Sequence, residues 1–329
     1  MHTMQGESTM MSNLGTVLIL GANGRFGRVA RQAFAAAGWT VVAQTRRALL
    51  DAGAARHVAI DAGKPAAIVE ATGVAQVVVN ALNPVYTQWE EQALELNEAA
   101  LSVARGLGAT LMLPGNVYNY GRSMPPLVTE ATPERPSTRK GEIRCRMEAR
   151  MRASGQRTIV VRAGDFFGGP GMGSWMDQVI VKDIRHGRIT YPGPLDRAHA
   201  WAYLPDLASS FVRLALVRDD LPEHASFLFP GHTLTGAQFV AAITEAARRL
   251  GVPGDSARIR VRSLPWGAIA LARVFSPMMR EIWHMRYLWQ VPHGLSGDAL
   301  ERVIGAVPST PLDAAVTASL RTLFAERAR

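Results

Sequence analysis

Three glycines at a spacing of three, Gly21, Gly24 and Gly27, close the apolar run Val17–Leu20 and open a helical pattern. Glycines so placed suit anion chemistry. They allow a tight turn, let backbone approach a pyrophosphate, and let the following helix pack closely on the strand, with the phosphates on its N-terminus. Asn23, Arg25 and Phe26 complete the turn, and Val29, Ala33, Phe34 and Ala37 mark one face of the helix. The expected occupant is a dinucleotide. About 20 residues beyond the glycines, an acidic residue would accept the ribose hydroxyls of NAD. The chain instead has Gln44-Thr45-Arg46-Arg47. Guanidinium groups at Arg46 and Arg25, with no acid, favour a 2′-phosphate, so NADP(H) is expected over NAD(H).

Alternating elements must position these residues. Val41–Gln44, His57–Ile60, Gln76–Asn80, Ala109–Leu113 and Thr158–Arg162 read as further strands, Gln76–Asn80 with a continuous apolar run as in a strand buried on both faces. Helices are expected at Thr87–Leu107 and Lys140–Ser154. The alternation predicts an α/β fold, a Rossmann-like doubly wound parallel sheet, over residues 14–168. Residues 169–329 are expected to form mainly a smaller α/β substrate-binding region, with segments returning to the sheet. Helices are expected there at Trp175–His186, Pro205–Val217, Gly236–Leu250 and Pro311–Glu326, and short strands near Phe227 and Ile259. Trp266, Trp283, Trp289, Met278, Met279 and Met285 crowd one segment, read as packed core, with a substrate-pocket wall as the other reading.

Composition narrows the function classes. The chain has 329 residues, 48% of them hydrophobic, enough for one large α/β domain or a nucleotide domain with an appendage. The most apolar stretch, Trp266–Phe275, is too short to span a bilayer and contains Arg273. Residues 1–13 lack the charged and apolar regions of a signal peptide and read as a disordered tail. A cytoplasmic protein with no membrane partner is expected. Cys145 is the single cysteine, which excludes an internal disulfide and a cysteine metal site, and no metal is expected. The formal charge is +9, and lysine occurs only at 64, 140 and 182. The arginines are scattered without an aromatic stripe, so nucleic acid is not the expected partner; an anionic cofactor or substrate accounts for the sign. Arg144, Arg146, Arg150 and Arg152, interleaved with Glu142 and Glu148, read as a solvated helix face.

With these residues in place, the chain resembles the short-chain dehydrogenase/reductase superfamily, in its extended, epimerase/dehydratase-like branch, over roughly residues 15–325. Gly21, Gly24 and Gly27 match the branch's glycine motif. Asp61-Ala62 stands where its third strand meets adenine, and Asn80-Ala81-Leu82 resembles the motif after its fourth. Val117-Tyr118 with Gly121 is similar to the Val-Tyr-Gly stretch after strand five, and Glu130, Pro133 and Pro136 to the acidic, proline-bearing loop that follows. Arg162–Phe166, including Gly164, resembles the segment along the nicotinamide, and Tyr203–Ala208 the motif introducing a late helix. The resemblance implies substrate contacts at Asn116, Tyr120, Asp165, Phe166 and Tyr203. It also implies helices equivalent to Thr87–Leu107 and Lys140–Ser154 packed across a two-fold axis. Trp89, Leu96, Ile143 and Met147 would then form a homodimer seam, or else face the chain's own core.

The departures bear on catalysis. The branch uses a Ser or Thr with Tyr-x-x-x-Lys on a helix, the lysine lowering the tyrosine's pKa for proton exchange as hydride moves. No tyrosine here has a lysine four residues later. By the resemblance, Lys140 takes the tyrosine position, Arg144 the lysine position, and Pro114 the Ser/Thr position. Three readings stay open. Lys140, desolvated beside Arg144, is a general acid; Tyr118 or Tyr120 is the proton donor, with Arg122 or Lys140 nearby; or Lys140 and Arg144 bind phosphate or ribose, or face solvent. The leading functional expectation is an NADP(H)-dependent reductase or dehydrogenase of a small carbonyl or hydroxyl compound. A noncatalytic NADP(H)-binding sensor or subunit is the alternative, and a sugar-nucleotide epimerase the less expected one.

Overall fold

The computed structural model describes residues 14–51, 53–252 and 258–327. The stretch 1–13, expected to be a disordered tail, lies outside the described residues. The first half alternates except between β2 and β3: β1 (Thr16–Leu20), α1 (Arg25–Ala36), β2 (Thr40–Gln44), β3 (Arg56–Val58), α2 (Pro65–Thr72), β4 (Val77–Asn80), α3 (Trp89–Leu107) and β5 (Thr110–Asn116). A two-residue strand β6 (Leu127–Val128), helix α4 (Arg139–Arg152), β7 (Thr158–Ala163) and β8 (Asp165–Phe167) follow. Next come β9 (Arg188–Tyr191), β10 (Ala198–Tyr203), α5 (Leu204–Leu216), β11 (His224–Leu228), β12 (His232–Thr235) and α6 (Gly236–Arg249). The chain then forms β13 (Arg260–Ser263), α7 (Trp266–Ala272), α8 (Pro277–His284), β14 (Gly294–Leu295), α9 (Asp298–Ile304) and α10 (Leu312–Glu326).

Seven strands form one sheet in the order β11-β7-β5-β4-β1-β2-β3, every pair parallel. The order reverses direction between β1 and β4, and a sheet of this kind opens a crevice there at the carboxyl ends of its strands. Apolar residues fill both faces. On one, α1 and α5 cover the sheet with Phe26, Phe34 and Phe211 buried, Phe26 edge-on to Phe211 at 4.9 Å. On the other, α2, α3 and α4 bury Trp89, Ile143, Met147 and Met151.

That second face supports the own-core reading for most of the residues named for a dimer seam. Trp89, Ile143 and Met147 are spent on the chain's own core, and Leu96 lines a cleft instead. The solvated arginine face also needs correction. Arg146, Arg150 and Arg152 are exposed, but Arg144 and Glu148 are buried. Glu148 accepts from Arg162 of β7, a donor that helical spacing cannot reveal.

Beyond β7, strands β12, β10 and β8 form a second sheet, and β9–β13 and β6–β14 pair in parallel. The helix expected at Trp175–His186 is instead a π turn at Met176–Ile180 and a 3-10 turn at Ile184–His186. Arg327 donates to the carbonyls of Asp177 and Lys182 at 2.8 and 3.0 Å, taking acceptors a regular helix would use. The tryptophan-rich segment divides: Trp289 and Met285 are buried, whereas Met278 is exposed. Among the described residues no helix is long and apolar enough to cross a membrane.

Candidate active site

A cleft of about 850 Å³ lies along the carboxyl ends of β1, β2, β4, β5 and β7, over the point where the strand order reverses. At one end is the glycine turn. Gly21 has φ of +73°, which disfavours a side chain, and a Cβ there would stand 2.8 Å from the Ala81 carbonyl oxygen. A Cβ on Gly27 would meet the Gly21 oxygen at 2.5 Å, so α1 packs against its own entry turn. Gly24 is the N-cap of α1 and supplies no side-chain cap. The first amides of the helix are thereby left to an anion in the cleft.

Buried side chains hold this cradle. Gln44, at the end of β2, accepts from the Gly21 amide at 3.0 Å and donates to the Ile60 carbonyl at 2.5 Å. Arg31 donates to the carbonyls of Ala22, Leu50 and Asp51. Asn23 lines the cleft and bridges residues 48 and 50, donating to the Ala48 carbonyl and accepting from the Leu50 amide, both at 2.9 Å. Phe26, Arg46, Arg47, Asp61, Ala62, Asn80, Ala81 and Leu82 line the same end. Asn80 accepts from the Leu82 amide, fixing the turn after β4. Arg25 corrects an expectation. Its guanidinium donates to the Gly168 carbonyl and to Asp177 at 2.9 Å, so it is tied to the π turn instead of being free for a 2′-phosphate. Arg46 keeps an exposed head, 4.0 Å from the Asp61 carboxylate.

The other end of the cleft is aromatic and polar: Tyr86, Trp89, Pro114, Asn116, Tyr118, Arg144, Gly164, Asp165, Phe166 and Trp175 line it. Gly164 is required, since a Cβ would lie 2.1 Å from the Ala200 oxygen. Asn116 accepts from the Tyr118 amide at 3.0 Å and sets that tyrosine at the wall. Burial, and then the charge of Asp165, push the Tyr118 phenol far above its ordinary pKa, while Arg144 opposes the shift. Arg144 lies over the Trp89 ring at 4.7 Å, and its Nε has no hydrogen-bond partner among the described residues. Burial lowers its pKa.

Three expected residues are placed elsewhere. Lys140 is 4% exposed and turns away from the cleft: Nζ donates to the Tyr86 carbonyl at 2.6 Å, pairs with Glu281 at 2.7 Å, and lies 4.2 Å from the Tyr86 ring centroid. Burial lowers its pKa and the Glu281 carboxylate raises it in part. Tyr120 is buried with its hydroxyl accepting from Arg162 at 2.7 Å, within a cluster that includes Glu134 and Glu148. Tyr203 packs on Phe167 at 5.3 Å and against Gly168. Neither tyrosine lines the cleft. Conversely, Tyr86 and Trp175 line it without having been expected, and His199 of β10 hydrogen-bonds Asp165 from behind the wall at 2.8 Å. Among the described residues, no cluster of His, Cys, Asp or Glu could hold a metal ion.

The sequence profile of the NAD dependent epimerase/dehydratase family matches residues 17–226. The chain belongs to this family. No curated protein matches it. Solved structures share its fold at low identity. A candidate epimerase from Burkholderia cenocepacia J2315 is 18% identical with a TM-score of 0.74, covering 95% of this chain and 99% of its own. UDP-glucose-4-epimerase from Stenotrophomonas maltophila, with bound NAD and formylated UDP-arabinopyranose, is 17% identical at 0.73, covering 96% and 100%. The Bordetella bronchiseptica enzyme WbmH, in complex with NAD+, is 17% identical at 0.70, covering 94% and 98%. Lys140, at the position the resemblance gives to the tyrosine, braces Tyr86 from below, and Pro114 brings no hydroxyl to β5.

Proposed function

We propose that this protein is an NADP(H)-preferring oxidoreductase that interconverts a carbonyl and a hydroxyl on a small organic substrate. The observation that carries the reading is one continuous cleft joining an uncapped glycine-turn helix to a wall of Asn116, Tyr118, Asp165 and Phe166. The residues fit a dinucleotide. Gly21, Gly24 and the first amides of α1 would take the pyrophosphate, Asp61 and Ala62 would flank the adenine, and Arg46 with Arg47 would face a 2′-phosphate. Gly164, Phe166 and Pro114 would bed the nicotinamide, which supplies or accepts a hydride when bound.

The chain's own groups do the rest. Tyr118 keeps its proton at neutral pH and donates a hydrogen bond to the substrate oxygen, as a neutral phenol can. Tyr86, Trp89 and Trp175 give the substrate's carbon frame an apolar bed and exclude water. Arg144 supports a partial negative charge near Tyr118 from a site of low dielectric.

Calorimetry with NADPH and NADH tests cofactor choice. NADPH is expected to bind about tenfold more tightly, the worth of roughly one charge-assisted hydrogen bond, and Arg46→Asp is expected to remove the difference. Equal affinities in the parent protein would reject the preference. Steady oxidation of NADPH with a panel of aldehydes and ketones supports the reductase. Conversion of a sugar nucleotide without net cofactor consumption would make the protein an epimerase instead.

A further inference from the structure

The reductase reading, on which this inference rests, still needs a proton for the substrate oxygen, and Lys140 does not reach the cleft. Asp165 does. It opens β8 between Gly164 and Phe166 and lines the cleft with a side chain 14% exposed. His199, on the neighbouring strand β10, sits behind it with Nε2 2.8 Å from Asp165 Oδ2. The second ring nitrogen, Nδ1, lies 3.2 Å from the Leu288 carbonyl oxygen. A carbonyl only accepts, so Nδ1 carries a hydrogen. One proton is then shared along the Nε2–Oδ2 line, either as a carboxylic acid facing a neutral imidazole or as a carboxylate facing an imidazolium. Trp289 stacks on the imidazole at 4.3 Å and 6° between planes, which fixes the ring's orientation.

We propose that Asp165 is a catalytic residue that hands this shared proton to the substrate's carbonyl oxygen, with His199 as its positioning residue. In the reducing direction, a bound reduced nicotinamide would supply the hydride whose electron pair forms the new bond to the carbonyl carbon. The π pair of the carbonyl moves to oxygen, and oxygen bonds to the proton of the pair. Asp165 is left as carboxylate and His199 as neutral imidazole, and cleft water restores the proton. Oxidation of an alcohol runs the same transfers backwards.

The surroundings leave this proton as the mobile one. Tyr86 from the loop after β4, Tyr118 after β5, Tyr191 on β9 and Tyr287 after α8 all feel the charge of Asp165. Burial first, and that charge in addition, hold their phenols protonated. His293, edge-on to His199 at 4.7 Å, is held neutral at pH 7 by burial, which lowers it to about 4. Arg144 faces Tyr118 and Arg122 faces Tyr287, each opposing the upward shift of its tyrosine.

Nitrogen-15 spectra of His199 read the pair without any turnover. The expected result is a protonated Nδ1 in the parent protein and an Nε2 resonance that moves on Asp165→Asn. An unprotonated Nδ1, or an Nε2 indifferent to Asp165→Asn, overturns the proposal. In carbonyl reduction, Asp165→Asn is expected to lower kcat about 100-fold or more, the usual scale for general acid–base catalysis, while NADPH affinity stays within about threefold. His199→Gln is expected to move the alkaline limb of the kcat–pH profile, which lost packing alone would not do. Full turnover by Asp165→Asn overturns the proposal and leaves the reductase reading standing. A parent protein that binds NADPH but reduces no carbonyl overturns the reductase reading, and proton delivery with it.

Discussion

Lys140 shows how a charged side chain, at the position the resemblance gives to a catalytic tyrosine, can serve as support. Its ammonium is buried under the Tyr86 carbonyl and paired with Glu281, 141 residues further along the chain as counted from 140 to 281. Because Tyr86 lines the cleft, loss of the brace loosens the substrate bed without removing a proton donor. Lys140→Met is therefore expected to keep kcat within about threefold and to raise KM. Stability should fall by about 1–3 kcal/mol, since Glu281 is only partly buried and regains water. Steady-state kinetics together with urea melts check this. A kcat loss of about 100-fold would restore Lys140 as the acid.

At the scale of elements, the strands of the first half and its helices α1 and α3 were legible because their signals are local, whereas the short α2 was not read. The continuous apolar run of β4 fits a strand covered on both faces, and the stripe on α3 fits a helix over one face. The glycine turn was legible for the same reason. What stayed hidden were partners distant in sequence. Asp165 and His199 are separated by 34 residues, and Arg25 and Asp177 by 152. Periodicity states which face is buried but not which polar group waits across it, so Arg144 and Glu148 read as solvated and Arg25 as free. The turn itself yields a paired prediction. Gly24 has φ of −64°, which any residue adopts, and its nearest steric neighbour is the Gly21 oxygen at 3.0 Å. Gly24→Val is expected to abolish cofactor binding while Tm falls little. Gly27→Val, where the contact would be 2.5 Å, is expected to lower Tm sharply as well. Calorimetry and thermal melts on both variants check it, and equal Tm losses would contradict the distinction.

For the whole molecule, buried histidine sets an acid limit. His293 is fully buried, and burial lowers its pKa from 6.5 to about 4, with the charge of His199 adding to the effect. Between those values the unfolded chain binds the proton and the folded protein does not, so protonation favours unfolding. Its contribution is complete above about pH 6.5 and is lost as the pH falls toward about 4, by about 3 kcal/mol. The difference between parent and His293→Gln melting curves over that interval isolates this histidine. Parallel curves would contradict it.

The seventh strand of the main sheet, β11, closes beside β7 although it lies beyond residue 220. Helix α5, which covers Phe26, also comes late in the chain. A chain synthesised through residue 168 but no further has therefore exposed six of the seven strands, with an open parallel edge and a bare aromatic face. Such a nascent intermediate invites edge-to-edge association and needs chaperone shelter until α5 and β11 emerge. Expressed alone, residues 14–168 are expected to aggregate, whereas residues 14–327 remain in solution, as sedimentation of the two would show. The nucleotide-binding half is thus made before α5 and β11 and finished only with them.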